Sequence, residues 1–111
     1  MLDLTRKIAI VTGAGSVGPG WGNGKAMSVL FARQGAKVFG IDVNIDAASV
    51  TGEIIQKEGG TFVAHPCNML VAEDVRASVD ACVQRFGRID ILVNNVGGSA
   101  PGAKVGRIYP L

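Results

Sequence analysis

Glycines crowd the segment from residue 13 to residue 24, and an acidic residue, Asp42, follows about 20 positions later. Glycine lets a backbone turn tightly and lets a phosphate approach without meeting a Cβ. The unpaired N–H groups and the dipole of a following helix favour negative charge. A carboxylate at the end of the next strand can accept hydrogen bonds from ribose hydroxyls. A glycine cluster also occurs as a plain turn, but this spacing favours a dinucleotide-binding βαβ unit.

The elements that must position these residues alternate along the chain. Apolar runs bounded by glycine or proline predict strands, and apolar residues at helical spacing predict helices. The run Ile91-Leu92-Val93 is continuously apolar, as expected of a strand that is buried on both faces. The predicted strands are residues 7–12, 37–42, 61–65 and 89–93, and the predicted helices are residues 24–34, 46–58 and 72–86.

This alternation predicts an α/β fold with a Rossmann-like, doubly wound parallel sheet and right-handed crossovers. With about four strands and three helices the sheet is truncated, and we expect the strand order 3-2-1-4. Residues 1–97 then form a half-domain that binds a dinucleotide, and residues 98–111 form an irregular tail. The far side of strand four, residues 89–93, has no predicted partner. That bare edge makes self-association possible.

Composition narrows the classes of function. The chain has 111 residues, of which 48% are hydrophobic and 18% charged, which is typical of one globular domain. A net charge of +2 argues against nucleic acid or a membrane surface as partners. Cys67 and Cys82 match neither a disulfide framework nor a zinc pattern, so no metal site is expected. Without an apolar leader or a membrane span, we expect a cytoplasmic protein.

Four motifs, taken together, resemble the short-chain dehydrogenase/reductase family. They are Thr12-Gly13 at the start of the glycine loop, Asp42 at the end of strand two, Asn68-Met69 after strand three, and Asn94-Asn95-Val96-Gly97 after strand four. The resemblance covers about residues 5–100. One departure is the glycine loop itself, which is longer than the compact loop usual in the family and includes Trp21.

The resemblance implies a set of residues that bind the cofactor. The glycines and their neighbours would frame the pyrophosphate, Asp42 would hold the adenosine ribose, residues 68 and 69 would border the adenine, and residues 95–97 would pass under the ribose on the nicotinamide side. Because Asp42 repels a 2′-phosphate and Val43 follows it rather than an arginine, NAD is preferred over NADP. The full set is Gly13, Gly15, Ser16, Gly22, Asn23, Gly24, Asp42, Val43, Asn68, Met69, Asn95, Val96 and Gly97.

The catalytic groups that the resemblance implies are a serine and a Tyr-x-x-x-Lys pair. Tyr109 is the single tyrosine of the chain, Lys104 precedes it, and Ser99 is misplaced, so we assign no catalytic residue. The expected function is the dinucleotide-binding part of an NAD(P)-dependent oxidoreductase acting on CH–OH and C=O groups, with an alcohol or ketone substrate only in a full-length form. The alternative is a non-catalytic NAD-binding module, or a truncated relative without turnover.

Overall fold

Five strands and three helices make up the computed structural model, which describes residues 3–15, 22–95 and 107–110. Strands and helices alternate up to the fourth strand, as the sequence predicts, and the helix bounds agree with the expected ones within one residue. In chain order the elements are β1 (Ile8–Thr12), α1 (Asn23–Arg33), β2 (Lys37–Asp42), α2 (Ile45–Lys57), β3 (Thr61–Pro66), α3 (Ala72–Phe86), β4 (Ile91–Asn94) and β5 (Arg107–Pro110).

The strands form one sheet in the order β3-β2-β1-β4-β5. The first four are parallel, with β1 pairing β2 from Ile8 opposite Lys37 onward and pairing β4 from Ala9 opposite Ile91 onward. This arrangement confirms the predicted order 3-2-1-4 and the Rossmann-like class. Because the strands are parallel, their carboxyl ends lie along one edge of the sheet, where loops to the next elements begin.

The fifth strand corrects two expectations. Residues 107–110 were expected to lie in an irregular tail, but they form β5 and pair antiparallel with β4, with Asn94 opposite Arg107. The edge of β4 is therefore paired, and the expectation of a bare edge there is wrong. A four-residue strand that ends in Pro110 carries too short a pattern to be recognised from sequence. Proline is tolerated there because β5 lies at the margin of the sheet.

Both faces of the sheet are covered. Alternate residues of β1 point to opposite faces, so Ala9 and Val11 join one buried cluster while Ile8 and Ile10 join the other. The first cluster includes Val29 of α1, together with residues of α2. The second cluster packs against α3. None of the helices in the described ranges is long and apolar enough to cross a membrane.

Phe62 of β3 occupies a slot between two glycines. A Cβ placed on Gly52 of α2 would lie 2.8 Å from Cδ2 of the Phe62 ring, and one placed on Gly40 of β2 would overlap that ring. Glycine weakens a helix interior by about 1 kcal/mol relative to alanine. At Gly52 this cost is offset because α2 can approach the sheet closely, and Phe62 is only 6% exposed.

The turn before β1 contains the one non-glycine residue with a positive φ among the described residues. Arg6 has φ 69°, and the Lys7 N–H donates to the Leu4 carbonyl at 2.9 Å to close the turn. The Arg6 carbonyl accepts a hydrogen bond of 2.8 Å from the guanidinium of Arg88. These backbone contacts hold Arg6 in a conformation that L-residues seldom adopt.

Candidate functional site

The glycine loop and the start of α1 pack backbone against backbone. Gly13 has φ 61°, and a Cβ there would lie 2.7 Å from the carbonyl oxygen of Asn95. A Cβ on Gly24 would overlap the carbonyl oxygen of Gly13. Neither position can carry a side chain, so the sequence requirement for glycine at 13 and 24 is steric. The contacts draw the ends of β1 and β4 and the first turn of α1 into one cradle.

The first turn of α1 can attract an anion. The helix begins at Asn23 after the N-cap residue Gly22, and it has no acidic residue in its first turn. The partial positive charge of a helix N-terminus is therefore not cancelled locally by a carboxylate. This end of α1 lies next to Gly13 through the Gly24 contact. A phosphate seated in the cradle would meet backbone N–H groups rather than side chains.

Asp42 closes the cradle from the side of β2. Its Oδ2 accepts a hydrogen bond of 2.9 Å from the N–H of Gly15, and its Oδ1 accepts one of 2.9 Å from the N–H of Asn44. Asn44 in turn caps α2, with Oδ1 accepting from the Ala47 N–H at 3.1 Å. The carboxylate is held in one orientation at the carboxyl edge and retains lone pairs for further donors.

Thr12 ties the two central strands together at this edge. Its hydroxyl oxygen accepts a 2.6 Å hydrogen bond from the Asn95 N–H and donates to the Val93 carbonyl at 3.2 Å. The Asn94 side-chain oxygen is 3.5 Å from the same hydroxyl, at the outer limit of a hydrogen bond. Sequence reasoning placed Thr12 at the mouth of the loop but gave it no role. The sequence feature that could have indicated this role is a hydroxyl residue at the end of an otherwise apolar, buried strand.

A cleft of about 330 Å³ lies beyond the ends of β2 and β3. Val43 and Asn68 both line it, and Val43 is 75% exposed. The Asn68 side-chain oxygen accepts from the Leu70 N–H at 3.0 Å, and the backbone N–H of Asn68 donates to Asp74 Oδ2 at 3.1 Å. The walls combine apolar surface with a carboxylate, which suits a flat heteroaromatic ring.

The structure brings most of the expected site residues to one edge but separates some of them. Met69 packs into the apolar cluster on the α3 face, with Sδ 3.7 Å from Sγ of Cys67, and does not line the cleft. Asp74 lines the cleft and was not singled out from the sequence, because one acid in the first turn of a helix is a common capping feature. Ser16, Val96 and Gly97 lie outside the described residues.

Two further side chains that could do chemistry are Cys82, which lies away from this edge, and His65, which lines the cleft. Cys82 is fully buried, and burial raises the pKa of its thiol to about 11, which keeps it protonated and unreactive at neutral pH. His65 Nδ1 lies 3.2 Å from the Ser78 hydroxyl, which donates to the Asp74 carbonyl at 2.9 Å. In the described ranges, no three His, Cys, Asp or Glu side chains are grouped so that they could hold a metal ion.

Comparison with known proteins relates this chain to one enzyme family. The family model described as short chain dehydrogenase matches residues 7–107. The 7alpha-hydroxysteroid dehydrogenase of Escherichia coli (strain K12) is 40% identical over 100 residues, which are 90% of this chain and 37% of that protein. The cyclohexanol dehydrogenase of Acinetobacter sp. (strain SE19) is 37% identical over 94 residues, covering 85% of this chain and 36% of that protein.

A solved structure agrees with this assignment. The 7 alpha-hydroxysteroid dehydrogenase complexed with NADH and 7-oxo glycochenodeoxycholic acid superposes with a TM-score of 0.80 at 40% sequence identity. The match covers 86% of this chain and 36% of that one, so the 111 residues span little more than a third of the relatives they resemble. Because the family model matches residues 7–107, which are most of the sequence, this chain belongs to the short-chain dehydrogenase family.

Proposed function

We propose that this chain binds NAD(H) along the carboxyl edge of its sheet and forms the dinucleotide-binding part of an oxidoreductase acting on CH–OH and C=O groups. The observation that carries the proposal is the backbone cradle in which Gly24 meets the Gly13 carbonyl and Asp42 holds the Gly15 N–H. Membership of the family, and a relative of this fold solved with NADH, support the same conclusion.

Each part of the edge then has a task. Backbone N–H groups at the start of α1 bind the pyrophosphate, and Gly13 and Gly24 keep side chains away from it. Asp42 accepts hydrogen bonds from the adenosine ribose while the Gly15 and Asn44 amides fix its orientation. The cleft beside Asn68 takes the adenine ring. When bound, the dinucleotide supplies hydride exchange, and the protein supplies binding and orientation.

Asp42 also makes NAD the preferred cofactor over NADP. A carboxylate at the ribose position repels a 2′-phosphate, and neither ion pair among the described residues, Arg33–Glu58 or Arg88–Asp90, includes Asp42. Val43, the next residue, is apolar and exposed and offers the extra phosphate no counter-charge.

Turnover requires groups beyond this edge. The family resemblance implies a serine and a Tyr-x-x-x-Lys pair that exchange a proton with the substrate oxygen, and this sequence has no such pair. The 111 residues are therefore proposed to bind the dinucleotide without turnover, with an alcohol or ketone substrate engaged only by a longer form.

Isothermal titration of the purified chain with NADH and NADPH tests the proposal. We expect saturable binding of NADH, weaker binding of NADPH, and at least about tenfold loss for Asp42→Ala, since a charged hydrogen bond contributes about 1.5–3 kcal/mol. Asp80→Ala is the matched control because it removes the same charge from an exposed position of α3. A folded chain that binds neither dinucleotide contradicts the proposal.

A further inference from the structure

The glycine loop has a support on the side away from the sheet, and that support is α2. The Thr51 hydroxyl donates a 2.8 Å hydrogen bond to the carbonyl oxygen of Ala14, and both residues are fully buried. Ala14 lies between Gly13 and Gly15, the two loop residues that contact Asn95 and Asp42. A side chain 37 positions along the chain thus contacts the first turn of the loop directly.

A second contact from α2 comes one helical turn earlier. A Cβ added to Gly15 would lie 2.5 Å from the Ala47 Cβ and 2.6 Å from its backbone carbonyl carbon, so only glycine lets the loop pack this closely on the helix. Ala47 and Thr51 are four residues apart and share one face of α2. The Ala14 N–H meanwhile donates to the Ile41 carbonyl at 3.2 Å. The peptide groups around Ala14 are consequently held between the sheet and α2.

We propose that Thr51 is a positioning residue for the pyrophosphate cradle, fixing the peptide planes of residues 13–15 through the Ala14 carbonyl. The inference depends on the proposed function, since it concerns how that cofactor site is held. Thr51 does not touch the dinucleotide; it sets the direction of the loop amides that do. Without its hydroxyl, the Ala14 carbonyl is left in an apolar environment and the loop must rotate to find another donor.

The two ends of the cofactor should respond differently to this change. The adenine cleft is lined by residues of β3, of α3 and of the loops after β2 and β3, and none of them contacts the Thr51 hydroxyl. Asp42 receives one hydrogen bond from the Gly15 N–H in the loop, but it keeps the second, from the Asn44 N–H, when the loop moves. The pyrophosphate part of the site depends on the Thr51 hydroxyl directly. Loss of the hydroxyl should therefore weaken ligands that carry a diphosphate more than it weakens adenosine, which has the same base and ribose.

The test measures the affinities of adenosine and ADP by NMR titration for the wild type, Thr51→Val and Thr51→Ser. Valine keeps the shape of threonine without the hydroxyl, and serine keeps the hydroxyl. We expect Thr51→Val to bind ADP about tenfold more weakly, the affinity equivalent of about one hydrogen bond. Its adenosine affinity should change less than about twofold, and Thr51→Ser should bind ADP like the wild type.

The other outcomes separate the two proposals. Equal loss of ADP and adenosine affinity in Thr51→Val, or no loss of either, overturns the positioning role and leaves the proposed function standing. A folded wild type that binds neither ligand overturns the proposed function and the role of Thr51 with it. If Thr51→Val does not fold, the wild-type spectrum decides: a shift of the Thr51 methyl signal by ADP but not by adenosine supports the proposal, and equal shifts overturn it.

Discussion

Replacing Arg6 by glycine should stabilise the fold. Arg6 has φ 69°, and holding a non-glycine L-residue in the left-handed region costs about 1–2 kcal/mol. Glycine removes this strain but makes the unfolded chain more flexible, which costs about 0.5–1 kcal/mol. The difference predicts that Arg6→Gly raises the free energy of unfolding by about 0.5–1 kcal/mol. The hydrogen bond from Arg88 is made to the Arg6 backbone carbonyl, so it survives the substitution.

Gly59 allows the opposite substitution, from glycine to a residue with a Cβ, to be tested in the same chain. Gly59 has φ 84°, and a Cβ there would meet no atom within 4 Å, so Gly59→Ala introduces strain without a clash. It should destabilise the fold by about the same 0.5–1 kcal/mol. Arg6→Ala removes the exposed side chain but keeps the strained backbone, and it should leave stability nearly unchanged.

Urea unfolding followed by circular dichroism measures all three variants. We expect the transition midpoint to rise for Arg6→Gly and fall for Gly59→Ala with the slope of the transition constant. In thermal unfolding the corresponding shift is about 2–8 °C. If Arg6→Gly proves no more stable than Arg6→Ala, strain at this turn does not contribute to stability and the reasoning is refuted.

Three further substitutions and titrations test other parts of the structure. Gly24→Ala should cut NADH affinity at least about tenfold in equilibrium dialysis, because its Cβ overlaps the Gly13 carbonyl; retained affinity would contradict the close backbone packing. Burial raises the pKa of the Cys82 thiol to about 11, so Cys82 should resist iodoacetamide at pH 8.5 until the chain unfolds. The free energy of unfolding should also fall between about pH 9 and 11, because the thiol of the unfolded chain ionises first. The hydrogen bond from the Ile8 N–H holds the pKa of Asp90 below its ordinary value, so the ionised carboxylate stabilises the fold at higher pH and this contribution is lost as the pH falls. Asp90→Asn should therefore make the free energy of unfolding less dependent on pH below pH 5. An unchanged dependence would count against this role.

The strand order, and the position of Gly13 and Asp42 at the carboxyl ends of their strands, could be predicted from the sequence because they follow from local patterns. Apolar runs, helical periodicity and the glycine loop each signal one element, and parallel connections then allow few topologies. The same holds for Asp42, whose position at the end of β2 is a matter of counting residues. The bounds of α3 were predicted correctly, since Gly87, with φ 91°, ends that helix as a left-handed cap.

What could not be predicted depends on contacts between distant residues. The hydrogen bonds of Thr12 to Asn95 and of Thr51 to Ala14 join positions 83 and 37 residues apart, and no local pattern reports them. β5 was missed for a related reason, because its four residues acquire strand character from pairing with β4. Met69 followed the family motif in sequence, but its side chain packs into the apolar core.

The slot around Phe62 constrains which sequences this fold can accept. Gly40, Gly52 and Phe62 come from three different elements, yet the volume of one ring is matched to the absence of two side chains. The effects of substitutions at these positions on the free energy of unfolding should therefore be strongly non-additive. Gly52→Ala alone should push α2 outward, whereas Gly52→Ala combined with Phe62→Leu should be tolerated. Gly52 adjoins Thr51, so a mismatch in this slot would also change how far α2 stands from the glycine loop. Related sequences that enlarge one of the three positions should therefore compensate at another, and variation deep under the sheet can affect binding at its edge.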